Sequence, residues 1–200
     1  MGNRVEFVFN LNEEFNIEKY KKVIKLVSKE KFNERKIEYS KGYFECYYYN
    51  YIDEKNDISI AFYWYYKKNE FLFFAPDFSY APPYCINLIK KIYPLLKAGG
   101  WGNTTEAMGY KREEYELMKD ARTRGKELRI WSINLFAPSE VQKYGREKLL
   151  KAPCEVIEEW EDGAIFMMIH KFDPSNPYGL GGFSSDYEER KKLREYLGEK

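Results

Sequence analysis

Between Ile58 and Tyr66 the chain alternates: Ile58, Ile60, Phe62 and Trp64 interleave with Ser59, Ala61, Tyr63 and Tyr65. A period of two belongs to a strand whose faces differ. Polar turns bound it, Glu54-Lys55-Asn56-Asp57 before and Lys67-Lys68-Asn69-Glu70 after, and beyond them lie strand-like runs at 43–52 and 71–75. Short turns between such runs predict an antiparallel meander. Residues 36–39 and 43–52 read either as one strand bent at Gly42 or as two, so the meander has three or four strands. Ahead of the meander, 5–11 reads as a strand. A helix over 17–32 follows, capped by Asn16, with Ile17, Tyr20, Ile24 and Val27 on one face and lysines over much of the rest. After Pro76, a helix over 84–97 carries the stripe Cys85, Leu88, Ile89, Ile92 and Leu96, and Pro94 predicts a kink or an early end.

In the second half, 99–105 reads as a glycine-rich loop holding Trp101. A very polar helix is expected over 111–124, with Tyr115 and Met118 inward and a stop at Gly125. Residues 128–136 form an apolar strand. A helix over 138–150 opens on Ser139 and Gln142 as a capping box and turns Val141, Tyr144, Lys148 and Leu149 to one side. Strands at 154–160 and 164–172 flank the turn Glu161-Asp162-Gly163. The run 164–169 is apolar on both faces, as in a central strand covered on at least one side. Residues 178–183 are a glycine-rich loop. Ser185 and Glu188 cap a last helix to Leu197, with Tyr187, Leu193, Tyr196 and Leu197 as its stripe. Hairpins outnumber crossovers, so the class is α+β: a mostly antiparallel sheet with helices packed on it. No long linker interrupts the chain, so one domain over 1–200 is expected. Its two halves each run strand–helix–hairpin.

Composition narrows the function. The 33 Lys and Arg nearly balance the 32 Asp and Glu, so the net charge of +1 gives no general pull towards phosphate backbones or anionic lipid. No membrane span and no signal-peptide core is visible, and the three separated cysteines Cys46, Cys85 and Cys154 read as reduced thiols. A cytoplasmic protein without cofactor or metal is expected. Aromatic residues make up 18% of the chain, more than ordinary core demand, which fits half-buried sheet faces. His170 is the only histidine, which excludes schemes needing two. An enzyme would have to use His170 with a cysteine or with carboxylates in a cleft. The richest concentration of charge is the acidic knot Glu155, Glu158, Glu159, Glu161 and Asp162 around the hairpin turn. The glycines at 179–182 lead into a helix start but lack the P-loop lysine, so a capped loop is the expectation.

One stretch resembles a known family. Residues 131–174, and within them Asn134-Leu135-Phe136-Ala137-Pro138-Ser139-Glu140-Val141-Gln142-Lys143-Tyr144-Gly145-Arg146-Glu147-Lys148-Leu149, look like a segment of bacterial immunity-type proteins. These are the immunity proteins of contact-dependent and polymorphic toxin systems, including the type VI immunity-like family. There an aromatic-rich strand runs into a helix ending in Gly-x-x-x-Leu, then into a Glu-rich hairpin tipped by Asp-Gly. The resemblance implies binding rather than catalysis: a protein partner, a cognate toxin, capped in the cytoplasm. Aromatic anchors with a charged rim suit such an interface. The partner-binding candidates are Tyr47, Tyr49, Tyr51, Tyr63 and Tyr65 on the meander, with Glu158, Glu159, Glu161 and Asp162 at the hairpin.

Overall fold

Apolar residues at alternate positions of β1 (Asn3–Asn10) meet the last strand of the meander, and that pairing defines the first half of the molecule. The computed structural model describes residues 3–11, 16–27, 35–38, 45–53, 58–65, 70–75, 81–106, 130–171 and 186–199. Its contacts gather into two compact units, Gly2–Gly99 and Gly100–Lys200, where the sequence suggests one domain. Each is described by itself.

In the first unit, β2 (Arg35–Glu38), β3 (Glu45–Asp53), β4 (Ile58–Tyr65) and β5 (Glu70–Ala75) form the expected antiparallel meander, and β1 adds to its end in the order β2-β3-β4-β5-β1. Of the two readings left open, the meander takes four strands: Arg35–Glu38 does not continue into the next strand as one bent strand but lies antiparallel beside it, Ile37 opposite Cys46. For β2 to β5 the backbone alone is described. Phe7 and Phe9 on one face of β1 are fully buried and Val8 on the other nearly so, so this strand is enclosed on both sides.

Helix α1 (Ile17–Val27) starts where its sequence says: the Asn16 Oδ1 accepts a hydrogen bond from the Lys19 N–H (3.1 Å). Tyr20, Val23 and Ile24 are its buried side, and Lys22 and Lys25 lie in solvent. Helix α2 (Ala81–Leu96) begins earlier than expected because Pro82 and Pro83 fall in its first turn, where their missing N–H groups cost no intrahelical bond. All five residues of the expected stripe, Cys85, Leu88, Ile89, Ile92 and Leu96, are buried. The helix ends two residues after Pro94, and Lys97 turns left-handed at φ 50°.

The second unit corrects the sequence reading at its start. Residues 100–106 are not a loop but strand β6 (Gly100–Glu106). Gly100 and Gly102 face Leu135 and Ile133 on β7 (Ile133–Phe136), and the large partner supplies the side-chain volume each glycine lacks. The expected helix over 111–124 and the glycine-rich loop at 178–183 lie outside the described residues. The helix over 138–150 is two helices, α3 (Pro138–Tyr144) and α4 (Arg146–Leu150), broken at Gly145, whose φ of 91° no helix accommodates. The cap is not Ser139: the Glu140 carboxylate reaches back to the Ala137 N–H (3.0 Å), two residues earlier in register.

Strands β8 (Val156–Glu159) and β9 (Ile165–Met168) complete an antiparallel sheet in the order β6-β7-β9-β8. Ile165 and Met167 pack with Phe136, Val141, Leu149 and the last helix, α5 (Asp186–Leu197). On the opposite face Ile133, Leu135, Phe166 and Met168 are also buried, so β9 is the doubly covered central strand expected. Leu193 and Leu197 of α5 are buried, whereas Tyr196, placed on the same stripe by sequence, is exposed and donates its hydroxyl to the Lys148 carbonyl (3.0 Å). Lys148 returns the contact: its amino group binds the Leu197 carbonyl (3.1 Å), a cation at the negative end of α5.

The two units share an order of elements. In each, a strand and its helical segment lead to a hairpin, the first strand pairs antiparallel with the hairpin's final strand, and a helix closes the run.

Candidate functional site

The acidic hairpin β8–β9 is built to hold its tip still. The Trp160 N–H donates to the Ala164 carbonyl and the Gly163 N–H to the Trp160 carbonyl, both at 2.8 Å, closing a three-residue loop. Gly163 takes the left-handed backbone this bulged closure needs, at φ 84°. The Asp162 Oδ1 accepts the Ala164 N–H (3.3 Å), a local bond typical of turn aspartates. Beneath the loop Trp160 stacks on buried Phe166, ring centroids 5.8 Å apart and planes 12° from parallel, and its indole N–H reaches the Glu158 carboxylate (3.3 Å).

The carboxylates are not equivalent. Glu159 is gripped by Arg146 of α4 through two bonds, Nε at 2.7 Å and Nη2 at 2.6 Å, the planar fork arginine is suited to make. This bond, with the charge behind it, holds the Glu159 carboxyl below the usual carboxylate range. At the strand's other end Glu155 accepts the Lys171 N–H (2.7 Å) and lies 3.4 Å from the His170 Nδ1; the backbone bond first, then the imidazole, lower its pKa as well. Glu161 and Asp162 stand exposed at the tip.

Glu155 and Glu159 therefore tie the ends of the hairpin to Lys171 and to α4. A depressed pKa means that their stabilisation is present above the ordinary glutamate range and is lost as pH falls through the folded-state values. In an acid titration the Lys171 amide and the Arg146 Nε–H resonances are expected to move with midpoints below the usual value of about 4.3. Midpoints at or above that value would show that these contacts do not hold in solution.

The tyrosines predicted on the meander do not form one patch. The register sets Tyr47, Tyr49 and Tyr51 opposite Trp64, Phe62 and Ile60, and sets Tyr63 and Tyr65 opposite Tyr48 and Cys46. Directly opposed residues share a face and neighbours alternate, so the first three positions lie on one side and the last two on the other. The first side continues through Phe73 and Phe71 to the positions of Phe7 and Phe9, which are buried.

His170 is about three-quarters buried, with its Nδ1 3.4 Å from the Glu155 carboxylate. Burial pushes the Cys154 thiol up to about 12 and the Cys85 thiol higher still, which keeps both protonated and poor nucleophiles at neutral pH. Cys46 lies on β3, where only the backbone is described. Among the described residues no group of three or more His, Cys, Asp or Glu gathers as a metal site, and no helix is long and apolar enough to cross a membrane.

Sequence reasoning missed a polar cluster at the start of β7. Arg190 and Arg194, one turn apart on α5, are 2% and 4% exposed. Arg190 donates to the Ser132 Oγ (3.3 Å) and Arg194 to the Ile130 carbonyl (3.1 Å), with the Arg194 guanidinium 5.4 Å from the centre of the Trp131 ring. Trp101 stacks on that ring at 5.4 Å. Buried Asn134 closes the bend, its amide accepting from the Trp131 N–H (2.9 Å) and donating to the Trp131 carbonyl (2.6 Å). The signal was present in the spacing: Arg190, Leu193, Arg194 and Leu197 follow the 3–4 period of a buried face.

No family model, no curated protein and no solved structure matches the chain.

Proposed function

We propose that this chain is a non-catalytic binding protein that captures a basic protein partner through the β8–β9 hairpin, in the manner of an immunity protein occluding a cognate toxin in the cytoplasm. The observation that carries this reading is the division of labour among the hairpin carboxylates. Glu159 is committed to Arg146 and Glu155 to Lys171 and His170, while Glu161 and Asp162 are presented to solvent on a turn closed by three local bonds. A preordered charged tip lowers the ordering cost of association and steers an oppositely charged partner. The enzyme reading pairs His170 with a cysteine or with hairpin carboxylates; the Cys154 thiol is desolvated rather than activated, and Glu155 and Glu159 are engaged by Lys171 and Arg146.

The test is capture of partners from the source cells by tagged protein, wild type against Glu161→Lys. Glu161 makes no structural bond that the substitution would break, unlike Glu159 or Asp162. A stoichiometric basic protein is expected with wild type, and its recovery is expected to fall at least about tenfold with the variant, the loss of a charge pair at an interface. Equal recovery by both would remove the hairpin tip from the interface.

A further inference from the structure

Among the described residues, strand β8 is the terminal strand of its sheet, with β9 as its one neighbour. The phase of its backbone follows from two bonds. The Trp160 N–H donates to the Ala164 carbonyl, so Trp160 faces β9, whereas the Ile169 N–H donates to the Ser132 carbonyl, so Ile169 faces β7. Antiparallel ladders alternate, which turns the backbone groups of Val156 and Glu158 towards Met168 and Phe166. The N–H and C=O groups of Ile157 and Glu159 then point outward, away from the sheet. An edge of this kind is a template for another strand.

We infer that the outer edge of β8 receives an extended segment of the partner protein as an added strand. This rests on the protein-binding reading above and specifies how that partner binds. The side chains state what the segment carries. On one face Val156 and Glu158 sit over Phe166 and Met168, so the incoming strand needs an apolar residue and, opposite Glu158, a lysine or arginine. On the other face Ile157 asks for a second apolar residue. There Glu159 is already neutralised by Arg146, so a further cation at that position is repelled rather than bound.

The strand and its flanks, Glu155 to Asp162, hold five carboxylates and no cation, so a second copy of β8 laid on this edge would oppose like charges. The acidic edge therefore refuses self-association and admits a basic strand.

The experiment uses the full chain, labelled with nitrogen-15, and as the probe a short peptide centred on Thr-Lys-Val-Val, which laid antiparallel sets threonine opposite Glu159, lysine opposite Glu158 and valines opposite Ile157 and Val156. The amides of Ile157 and Glu159 are expected to shift, and their hydrogen exchange to slow by about tenfold or more at saturation, as for newly paired strand amides. The same peptide N-methylated at alternate residues is expected to lose binding, as is wild-type peptide with the Glu158→Lys protein. Shifts confined to Glu161 and Asp162, equal binding of the methylated peptide, or unprotected amides at 157 and 159 would each overturn the added strand. The outcome separates from that of the parent reading: Glu161→Lys still weakens partner capture if only the edge docking is wrong, and leaves it unchanged if the hairpin does not bind a partner.

Discussion

Phe166→Ala is expected to cost the second unit about 3–5 kcal/mol, the range for deleting a fully buried phenylalanine. The ring is 0% exposed, stands on the central strand between Leu135 and Glu158 in register, and carries the Trp160 indole face to face. Its removal leaves a void that the flanking strands cannot close, because each is pinned by its own ladder. The effect reaches the tip. Without Phe166 beneath it, Trp160 loses its stacking surface and the Glu158 carboxylate its fixed donor. Urea unfolding followed by tryptophan fluorescence should show a midpoint well below wild type, whereas Phe166→Leu, which keeps most of the volume, is expected to cost under about 1.5–2 kcal/mol. Equal midpoints for the alanine variant and wild type would mean that the hairpin is not anchored through this ring.

What the sequence reveals and what it conceals follow from the same physics. Strict alternation in 58–65 and the stripe from Cys85 to Leu96 are strong periodic signals, and the structure follows both. The doubly apolar run at 164–169 likewise marks the central strand. Failures fall where glycine or pairing decides. Gly100 and Gly102 read as loop because a glycine strand has no side-chain period of its own; its partner Leu135 and Ile133 supply the bulk. Gly145 sits inside a helical pattern that resumes beyond it at Leu149, so the sequence offers a glycine within a helix, and the φ of 91° shows that it ends one helix and starts the next. Pairing partners are not written locally either: Arg35–Glu38 folds beside Cys46 rather than running on into it.

At the candidate site, the acidic knot and its turn were legible because Glu161-Asp162-Gly163 between apolar runs is a hairpin signal. That Glu159 belongs to Arg146, thirteen residues earlier, was not, since the bond depends on how α4 lies against β8. The tyrosine positions depend on pairing as well: Tyr47, Tyr49 and Tyr51 fall on one face and Tyr63 and Tyr65 on the other, because strand parity and register, not residue type, assign the side.

Arg194 offers the second large effect, and a way to separate fold from function. Arg194→Ala is expected to destabilise the second unit by about 3 kcal/mol. It removes a stem buried to 4% exposure, and it leaves the buried Ile130 carbonyl without its donor. Arg194→Met keeps the stem and deletes only the charge and the donor. Because transferring a guanidinium out of water is itself costly, replacing buried ionic groups by apolar ones of similar size is often close to neutral. Thermal unfolding of the three proteins therefore has an informative order. A methionine variant as unstable as alanine would make the Ile130 bond and the Trp131 contact the reason for the arginine, and the cluster purely structural. The expected order is wild type, then methionine within about 1–2 kcal/mol, then alanine. In that case the stem accounts for most of the stability, and the Arg194 charge over the Trp131 ring, with the Arg190 bond to Ser132, contributes register and orientation at the start of β7. Those contributions fix where β9, and with it the acidic hairpin, is held.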